Sequence, residues 1–401
     1  MDPRALKIAS SVVSRSGPGR PADAVLREDL RSQRSLPRDV SRVISRAVFS
    51  YFRWRQWLDR SAKMGDQIMA AVELASRYAR DPRQFTDEEL VAKSLPDWIR
   101  SEIEVTPAMA RALQTEPVLW LRARPGRGPE LASRLGDCMA AGEGPLADAL
   151  RYDGSLDLFR TPEFQAGDFE IQNIHSQCVG WLCAPKPGES WWDTCVGEGG
   201  KLLHLSDLMR NKGQIWGTDR AAWRLQRLKR RTARAKVFNY RSASWDGGPA
   251  LPVQGRFDGV LVDAPCTNMG TWHRNPHARW TATPSDLKEL AAAQIQLLIT
   301  AASAVKPGGR MIYAVCTLTR SETVDVAAAF EKHCPDFAPM PLPYPFGGQP
   351  PAAQQWFLPQ DRGGNGMFVA LWRKAQPPTA PPTQDLPQDP SPPPAVAPPA
   401  S

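Results

Sequence analysis

The chain has 401 residues, a formal net charge of +8 and seven cysteines. Such a length allows two or three domains with a sizeable core, and the positive balance suits a polyanion such as nucleic acid without establishing one. An odd cysteine count without framework spacing argues against a disulfide scaffold and for a reducing, cytoplasmic setting; no Cys/His cluster points to a metal, and no apolar run approaches the roughly 18 residues of a membrane span.

The first residues, Met1 to Gly19, lack an apolar signal core and read as a short amphipathic helix rather than an organellar transit peptide. From Asp39 to Leu58 the residues Val40, Val43, Ile44, Ala47, Val48, Tyr51 and Phe52 recur at helical spacing. Trp54 and Trp57 extend this stripe, and Arg53 and Arg55 flank it. An RNA-contacting face is one reading; a packed stripe with a solvated charged rim is the commoner one. Asp81-Pro82 marks a boundary, and Thr86-Asp87-Glu88-Glu89 is a capping box opening a new helix.

Residues 1–80 are therefore expected to be helical and 81–165 to form a small α/β module. In the latter, Thr106-Pro107 starts a helix, Val118 to Arg124 reads as a strand and Pro125-Gly126-Arg127-Gly128 as a turn. Arg122, Arg124 and Arg127 beside Trp120 form a weak candidate surface for phosphates and bases.

The largest domain, 166–375, opens with a turn at Pro185-Lys186-Pro187-Gly188 and a strand from Ser190 to Asp193. Cys195-Val196-Gly197-Glu198-Gly199-Gly200-Lys201 is a glycine-rich loop, and a helix follows through Leu202, Leu203, Leu205, Leu208 and Met209. Strand, glycine loop and helix together make a nucleotide-type fingerprint, because glycines admit close backbone approach and the helix N-terminus offers free N–H donors. The spacing is neither GxGxxG nor a P-loop. The next strand, Gln214 to Thr218, ends on Asp219, placed to accept from ribose hydroxyls, and Asp246 follows a third extended run. Between Arg220 and Lys236 lies a helix dense in Arg and Lys, a solvated face or a phosphate contact with equal standing.

Val260, Leu261 and Val262 form a buried strand that ends on Asp263, followed at once by Ala264-Pro265-Cys266. Thr283-Pro284-Ser285-Asp286 caps a long helix that ends near Val305. A turn at Pro307-Gly308-Gly309 precedes a strand from Arg310 to Val315, closed by Cys316-Thr317, and Thr319-Arg320-Ser321-Glu322 reads as another capping box. Gly366 to Arg373 is a last strand; residues 376–401, rich in Pro and Ala, read as a disordered tail. Asp193, Asp219, Asp246 and Asp263 thus each close a strand-like segment, the layout of an adenosine-and-methionine pocket. Two thiols, Cys266 and Cys316, fall on one edge of the same sheet.

Over roughly residues 35 to 375 the chain resembles the bacterial RsmB and eukaryotic Nop2/Sun family of RNA cytosine-C5 methyltransferases. The resemblance rests on Asp193 to Leu205, on Asp263-Ala264-Pro265-Cys266 followed by Gly270-Thr271 and Arg274-Asn275-Pro276, on Pro307 to Glu322, and on Phe164 to Trp181. It implies an α/β fold: a Rossmann-like S-adenosylmethionine-dependent methyltransferase domain preceded by a helical NusB-like region and a small α+β RNA-binding module. It also implies Cys316 as nucleophile, Cys266 as the thiol that assists product release, Asp263 at N3 of the base, and Cys195 to Lys201 with Asp219, Asp246 and Asp263 as cofactor contacts. The implied partner is RNA, ribosomal ahead of transfer RNA, with the protein a monomer and no metal or membrane involved.

Departures from the family pattern are Val196-Gly197-Glu198, which brings an acid near the cofactor's methionine end, with Asn173, His273 and Asn365-Gly366-Met367. Two other readings share these residues. A catalytically silent RNA-binding or ribosome-assembly factor is favoured only by the altered glycine loop. A DNA cytosine methyltransferase, in which the Pro-Cys thiol attacks, is opposed by the second thiol and the basic N-terminal region.

Overall fold

The computed structural model describes residues 1–33, 36–253 and 255–376; the expected disordered tail lies, from residue 377 on, outside the described residues. The chain begins with helices α1 (Pro3–Arg15), α2 (Ala22–Ser32), α3 (Arg38–Arg53) and α4 (Met64–Arg80). Their apolar stripes face one another: Ile8, Val12, Ile44, Ala47, Val48, Phe52, Ile68 and Ala71 are buried together. The stripe expected from Val40 onward is thus core, apart from Val43, which is 45% exposed. Helix α3 stops at Arg53 rather than near Leu58, and Arg55–Trp57 continue as a 3₁₀ turn. Trp54 turns inward at that point and packs on Tyr78 and Phe85.

Two short helices follow, α5 (Asp87–Lys93) and α6 (Pro107–Gln114), capped by Thr86 and Thr106. The expected box at Thr86 is half made. Its hydroxyl accepts from the Glu89 N–H at 3.2 Å, whereas the Glu89 carboxylate accepts from Trp57 Nε1 at 2.7 Å and from Lys93 at 3.0 Å.

The small module holds β1 (Leu119–Ala123), α7 (Gly128–Leu135), β2 (Cys138–Ala140), β3 (Ala149–Tyr152), α8 (Pro162–Ala166) and β4 (Phe169–Ile171). Its antiparallel sheet has the order β2-β3-β1-β4. The basic aromatic surface expected here does not form. Trp120 and Arg122 project from the same face of β1 and are 5% and 2% exposed.

The third unit contains α9 (Ile174–Cys183), β5 (Ser190–Asp193), α10 (Gly200–Leu208), β6 (Gln214–Asp219), α11 (Ala222–Arg234), β7 (Tyr240–Ser244) and β8 (Phe257–Asp263). It is completed by α12 (Pro284–Ala302), β9 (Val305–Val315), α13 (Val324–His333), β10 (Phe337–Pro339), β11 (Gln354–Phe357) and β12 (Met367–Lys374). The sheet order is β10-β12-β9-β8-β5-β6-β7, with β11 beside β12. Strands β9, β8, β5, β6 and β7 are parallel neighbours, and β12 runs antiparallel to β9. The strand order therefore reverses between β5 and β8, and the crevice of such a sheet opens at the carboxyl ends flanking that reversal. Pro307-Gly308-Gly309 lie within β9 instead of ahead of it, where the pairing with β8 skips a residue between Phe257 and Gly259.

The small module and α10 are joined by charge. Arg122 donates to Asp207 and, at 2.7 Å, to Gln172, while Arg124 donates to the same Asp207 at 2.9 Å and lies near Glu170. That engagement is why these arginines are not a phosphate surface.

The helical region docks on the loop after β8. Trp280 Nε1 donates to the Phe52 carbonyl at 2.7 Å, Arg53 donates to the His273 carbonyl at 2.9 Å, and Phe52 meets the His277 ring edge-on. Arg279 is fully buried and has no carboxylate partner among the described residues; it donates to the carbonyls of Trp272 at 3.2 Å, Ser94 at 3.1 Å and Leu113. Burial pushes its pKa well below the ordinary arginine value.

Arg279→Met should lower stability by about 3 kcal/mol or more, since carbonyls left without a charged donor each cost roughly 1–3 kcal/mol. Urea unfolding reads this as a lower midpoint, and an unmoved midpoint would mean that Arg279 does not hold these segments together.

Candidate active site

In the parallel pair β8 and β9, Asp263 stands opposite Ala314. The chain leaves β8 through Ala264-Pro265 to Cys266 and leaves β9 directly into Cys316, so both thiols emerge at one edge. Their sulfurs are 3.4 Å apart. Cys266 is buried and Cys316 half-buried.

The pair is held from below. The Glu322 carboxylate is fully buried and accepts from the Thr267 N–H at 2.8 Å, from the Thr267 and Thr319 hydroxyls, and from Gln294 Nε2 at 3.1 Å. It clamps the residue after one thiol to the segment after the other. The capping box expected at Thr319 is therefore not made: Thr319 caps no backbone N–H, and the helix starts later, at Val324. Gly270 lets the loop pass the end of the sheet, because a Cβ there would lie 1.9 Å from the Gly366 carbonyl oxygen.

Asn268, the second residue after Cys266, has a left-handed backbone with φ +57°. Its Nδ2 donates to the Cys266 carbonyl at 2.8 Å, and its Oδ1 lies 3.0 Å from Cys316 Sγ and 3.9 Å from Cys266 Sγ. Sequence reasoning passed over both Asn268 and Glu322. The only signal was a non-glycine residue inside a loop of small residues, and an acid among Thr267, Thr317 and Thr319.

The charges around the thiols are asymmetric. Lys201, buried at the start of α10, donates to Asp263 Oδ2 at 2.7 Å. Burial opposes its charge, but the Asp263 carboxylate, with Cys316 and Asp193 behind it, holds its pKa above the ordinary lysine value. The Cys266 thiol, hydrogen-bonded to Cys316 and desolvated, is pushed well above the usual thiol range. Cys316 is lowered, chiefly by that bond from Cys266 and further by Lys201 and Arg274, against burial and Asp263. Asp193 is buried at the end of β5, its Oδ1 has no partner among the described residues, and desolvation with the nearby Asp263 pushes its pKa up to about 8.

The glycine loop joins β5 to α10. Val196 donates its N–H to the Thr218 carbonyl at 2.8 Å, and Gly197 donates to Asp219 Oδ2 at 3.0 Å. Gly199, at φ +88°, leaves no room for a side chain, since a Cβ would meet Leu228 at 2.3 Å. Asp219 Oδ1 also accepts from the Ala221 N–H at 2.8 Å, so this acid already braces the loop. Asp246 lies just past β7, two residues beyond its end, where it accepts from the Gly248 N–H at 2.9 Å. Cys195 is half-buried beside Thr194, and Gly200 and Lys201 open α10.

Glu198 does not face the pocket as expected: its carboxylate pairs with Arg227 on α11. Part of the basic run is engaged in the same way, because Arg224 pairs with Asp219, and Arg231 and Arg234 with Glu170. Asn173 Oδ1 accepts from the Asn365 backbone N–H at 3.0 Å, which ties together two of the positions that depart from the family pattern. Arg274 is exposed and, among the described residues, makes no side-chain ion pair. It lines a cleft of about 730 Å³ with Arg27, Arg42, Arg46 and Arg53.

Among the described residues no group of three His, Cys, Asp or Glu side chains could hold a metal ion. No helix among them is long and apolar enough to cross a membrane.

Residues 180–373 match the family model described as 16S rRNA methyltransferase RsmB/F. The chain is 30% identical over 326 residues to the probable ribosomal RNA small subunit methyltransferase B of Synechocystis sp., covering 75% of this chain and 72% of that protein. It is 32% identical over 218 residues to the corresponding protein of Bacillus subtilis, covering 53% of this chain and 49% of that one. It thus spans between half and three quarters of the length of these relatives. A methyltransferase homolog protein of Pyrococcus horikoshii overlays 67% of this chain and 90% of its own, with a TM-score of 0.55 at 27% identity. With both thiols inside that matched domain, at the carboxyl ends of β8 and β9, the chain belongs to the RsmB/F family of RNA methyltransferases.

Proposed function

We propose that the protein transfers a methyl group from S-adenosylmethionine to C5 of a cytosine in ribosomal RNA, through a covalent bond between Cys316 and C6 of the base. The observation that carries this reading is the thiol pair: two sulfurs 3.4 Å apart, one pushed toward thiolate and the other away from it.

C5 of cytosine is a weak nucleophile. Addition of the Cys316 thiolate to C6 turns the ring into an enamine whose C5 is electron-rich. As the ring gains electrons, N3 takes a proton, and the Asp263 carboxylate, oriented by Lys201, is the group to bind N3–H. After methylation the C5 proton passes to solvent water, its electron pair restores the C5–C6 double bond as the C6–S bond breaks, Cys316 departs as thiolate, and N3 gives up the proton it took. Cys266, keeping its proton and bonded to that sulfur, stabilises the departing charge.

S-adenosylmethionine supplies the electrophilic methyl group when bound. The chain's own residues suit it: Asp193 is buried with one carboxyl oxygen free of partners among the described residues, which a cationic group would satisfy, and the Gly197–Gly200 turn offers backbone at a helix start. Asp219 and Asp246 are the acceptors for its ribose and adenosine end.

The silent-factor reading loses its support, because Glu198 turns away to Arg227. A nucleophilic Cys266 is disfavoured by its burial, since Cys316 is the more exposed of the two thiols.

The decisive test compares alanine variants of the two thiols with the target RNA. Cys316→Ala should bind RNA and form no covalent adduct. Cys266→Ala should form one that depends on S-adenosylmethionine and survives denaturing electrophoresis. An adduct that instead requires Cys266 overturns the assignment.

Asp219→Asn should weaken S-adenosylmethionine binding about tenfold or more, since bonds to a charged acceptor contribute roughly 1.5–3 kcal/mol. Titration calorimetry on the folded variant checks this, and unchanged affinity would remove Asp219 from the pocket.

Arg274→Gln should reduce the slope of log K against log salt for single-stranded RNA by about 0.7, the value of one phosphate contact. Cofactor affinity should not move. An unaltered slope would take Arg274 off the RNA path.

A further inference from the structure

Asn268 is placed against the thiols with more care than its loop needs. A left-handed backbone at φ +57° is served at least cost by glycine, so the turn alone does not call for a side chain. The side chain present is fixed in one orientation. Its Nδ2 donates to the Cys266 carbonyl at 2.8 Å, and the flipped amide would face that carbonyl with a second acceptor. Oδ1 is thereby aimed at the sulfurs, 3.0 Å from Cys316 and 3.9 Å from Cys266.

A carbonyl oxygen accepts from a thiol and repels a thiolate. Cys316 therefore has two neighbours that act in opposite senses. The Cys266 S–H, 3.4 Å away, favours the thiolate, and Asn268 Oδ1 favours the thiol. The other charged groups acting on Cys316 are Asp263 on the β8 side, which also opposes the thiolate, Lys201 on α10 and Arg274 on the loop, which favour it.

We propose that Asn268 is a positioning residue whose carboxamide oxygen holds the proton of the resting Cys316 thiol until substrate enters. The inference rests on Cys316 as the nucleophile. It adds a restraint specific to this chain's Thr267-Asn268-Met269 segment: the nucleophile is kept protonated and pointed while the site is empty. Release takes a rotation of one side chain. The Cys316 S–H bond then breaks, its electron pair stays on sulfur, and the proton passes to solvent water or to the entering base.

The test needs no RNA. Full-length wild type, Asn268→Gly and Asn268→Asp are alkylated with iodoacetamide across a pH series, and modification of the Cys316 peptide is followed by mass spectrometry. Glycine removes the oxygen and suits the backbone, so the alkylation midpoint should fall. Aspartate puts a full negative charge in the same place, so the midpoint should rise. At a pH below both midpoints, a glycine variant whose midpoint is tenfold lower in proton affinity should react about threefold faster, because the larger thiolate fraction outweighs its weaker nucleophilicity. Midpoints that stay together, or that both move the same way as a loosened loop would make them, overturn the proposal. If Cys266 is instead the thiol that alkylates at lower pH in the wild type, the nucleophile assignment fails first and the inference falls with it.

Discussion

The register between β8 and β9 is the constraint on which the site depends. Asp263 faces Ala314, and each strand ends within three residues of a cysteine. Because side chains alternate along a strand, a slip of one residue would send one thiol to the opposite face. Register is secured by burial: Val260, Leu261 and Val262 on one strand, and Met311 to Val315 on the other, are completely enclosed. The loops beyond the strands have no such ladder. The Glu322 carboxylate takes over there, bridging Thr267 and Thr319 across the two exits. Without that bridge, parallel strands would still align the backbones but not the sulfurs.

The net charge of +8 is distributed in a way the total conceals. Many of the arginines that look like an RNA surface are structural. Arg122 and Arg124 share Asp207, and Arg231 and Arg234 share Glu170, fastening the small module to α10 and α11. Arg53 and Arg279 are buried, form no ion pair among the described residues, and bond to carbonyls instead. Exposed charge that is unpaired among the described residues remains at Arg274, on the loop that carries Cys266, and its field also favours the Cys316 thiolate.

Much of the catalytic domain was legible in the sequence. Its strands are short apolar runs that each close on an acid, and such runs are local signals. Asp193, Asp219 and Asp263 close β5, β6 and β8 as expected, with Asp246 two residues past β7. What escaped was decided at long range. Trp120 and Arg122 share a strand face, but whether that face meets solvent or Asp207 depends on α10, some eighty residues away. Glu322 has the spacing of a helix cap, and only the arrival of Thr267 from another strand turns it into a clamp. Glu198 sits in the glycine loop, and its carboxylate pairs with Arg227 on α11. In each case the sequence shows the group and a distant partner decides what it does.

Distant partners also change the meaning of the N-terminal helices. Their composition invites an independent RNA-binding role, and their core is separate from that of the sheet. Yet α3 ends on Phe52 and Arg53, which hold Trp280 and His273, and α6 ends beside the carbonyl that Arg279 binds. Both hold the segment from Trp272 to Trp280, a few residues beyond Cys266. A chain cut before α5 would lose the Phe52 and Arg53 contacts while keeping the thiols and the pocket. Its failure would then be a misplaced loop as much as a lost RNA contact. The helical region is therefore part of the active site's scaffold, whatever nucleic acid it also meets.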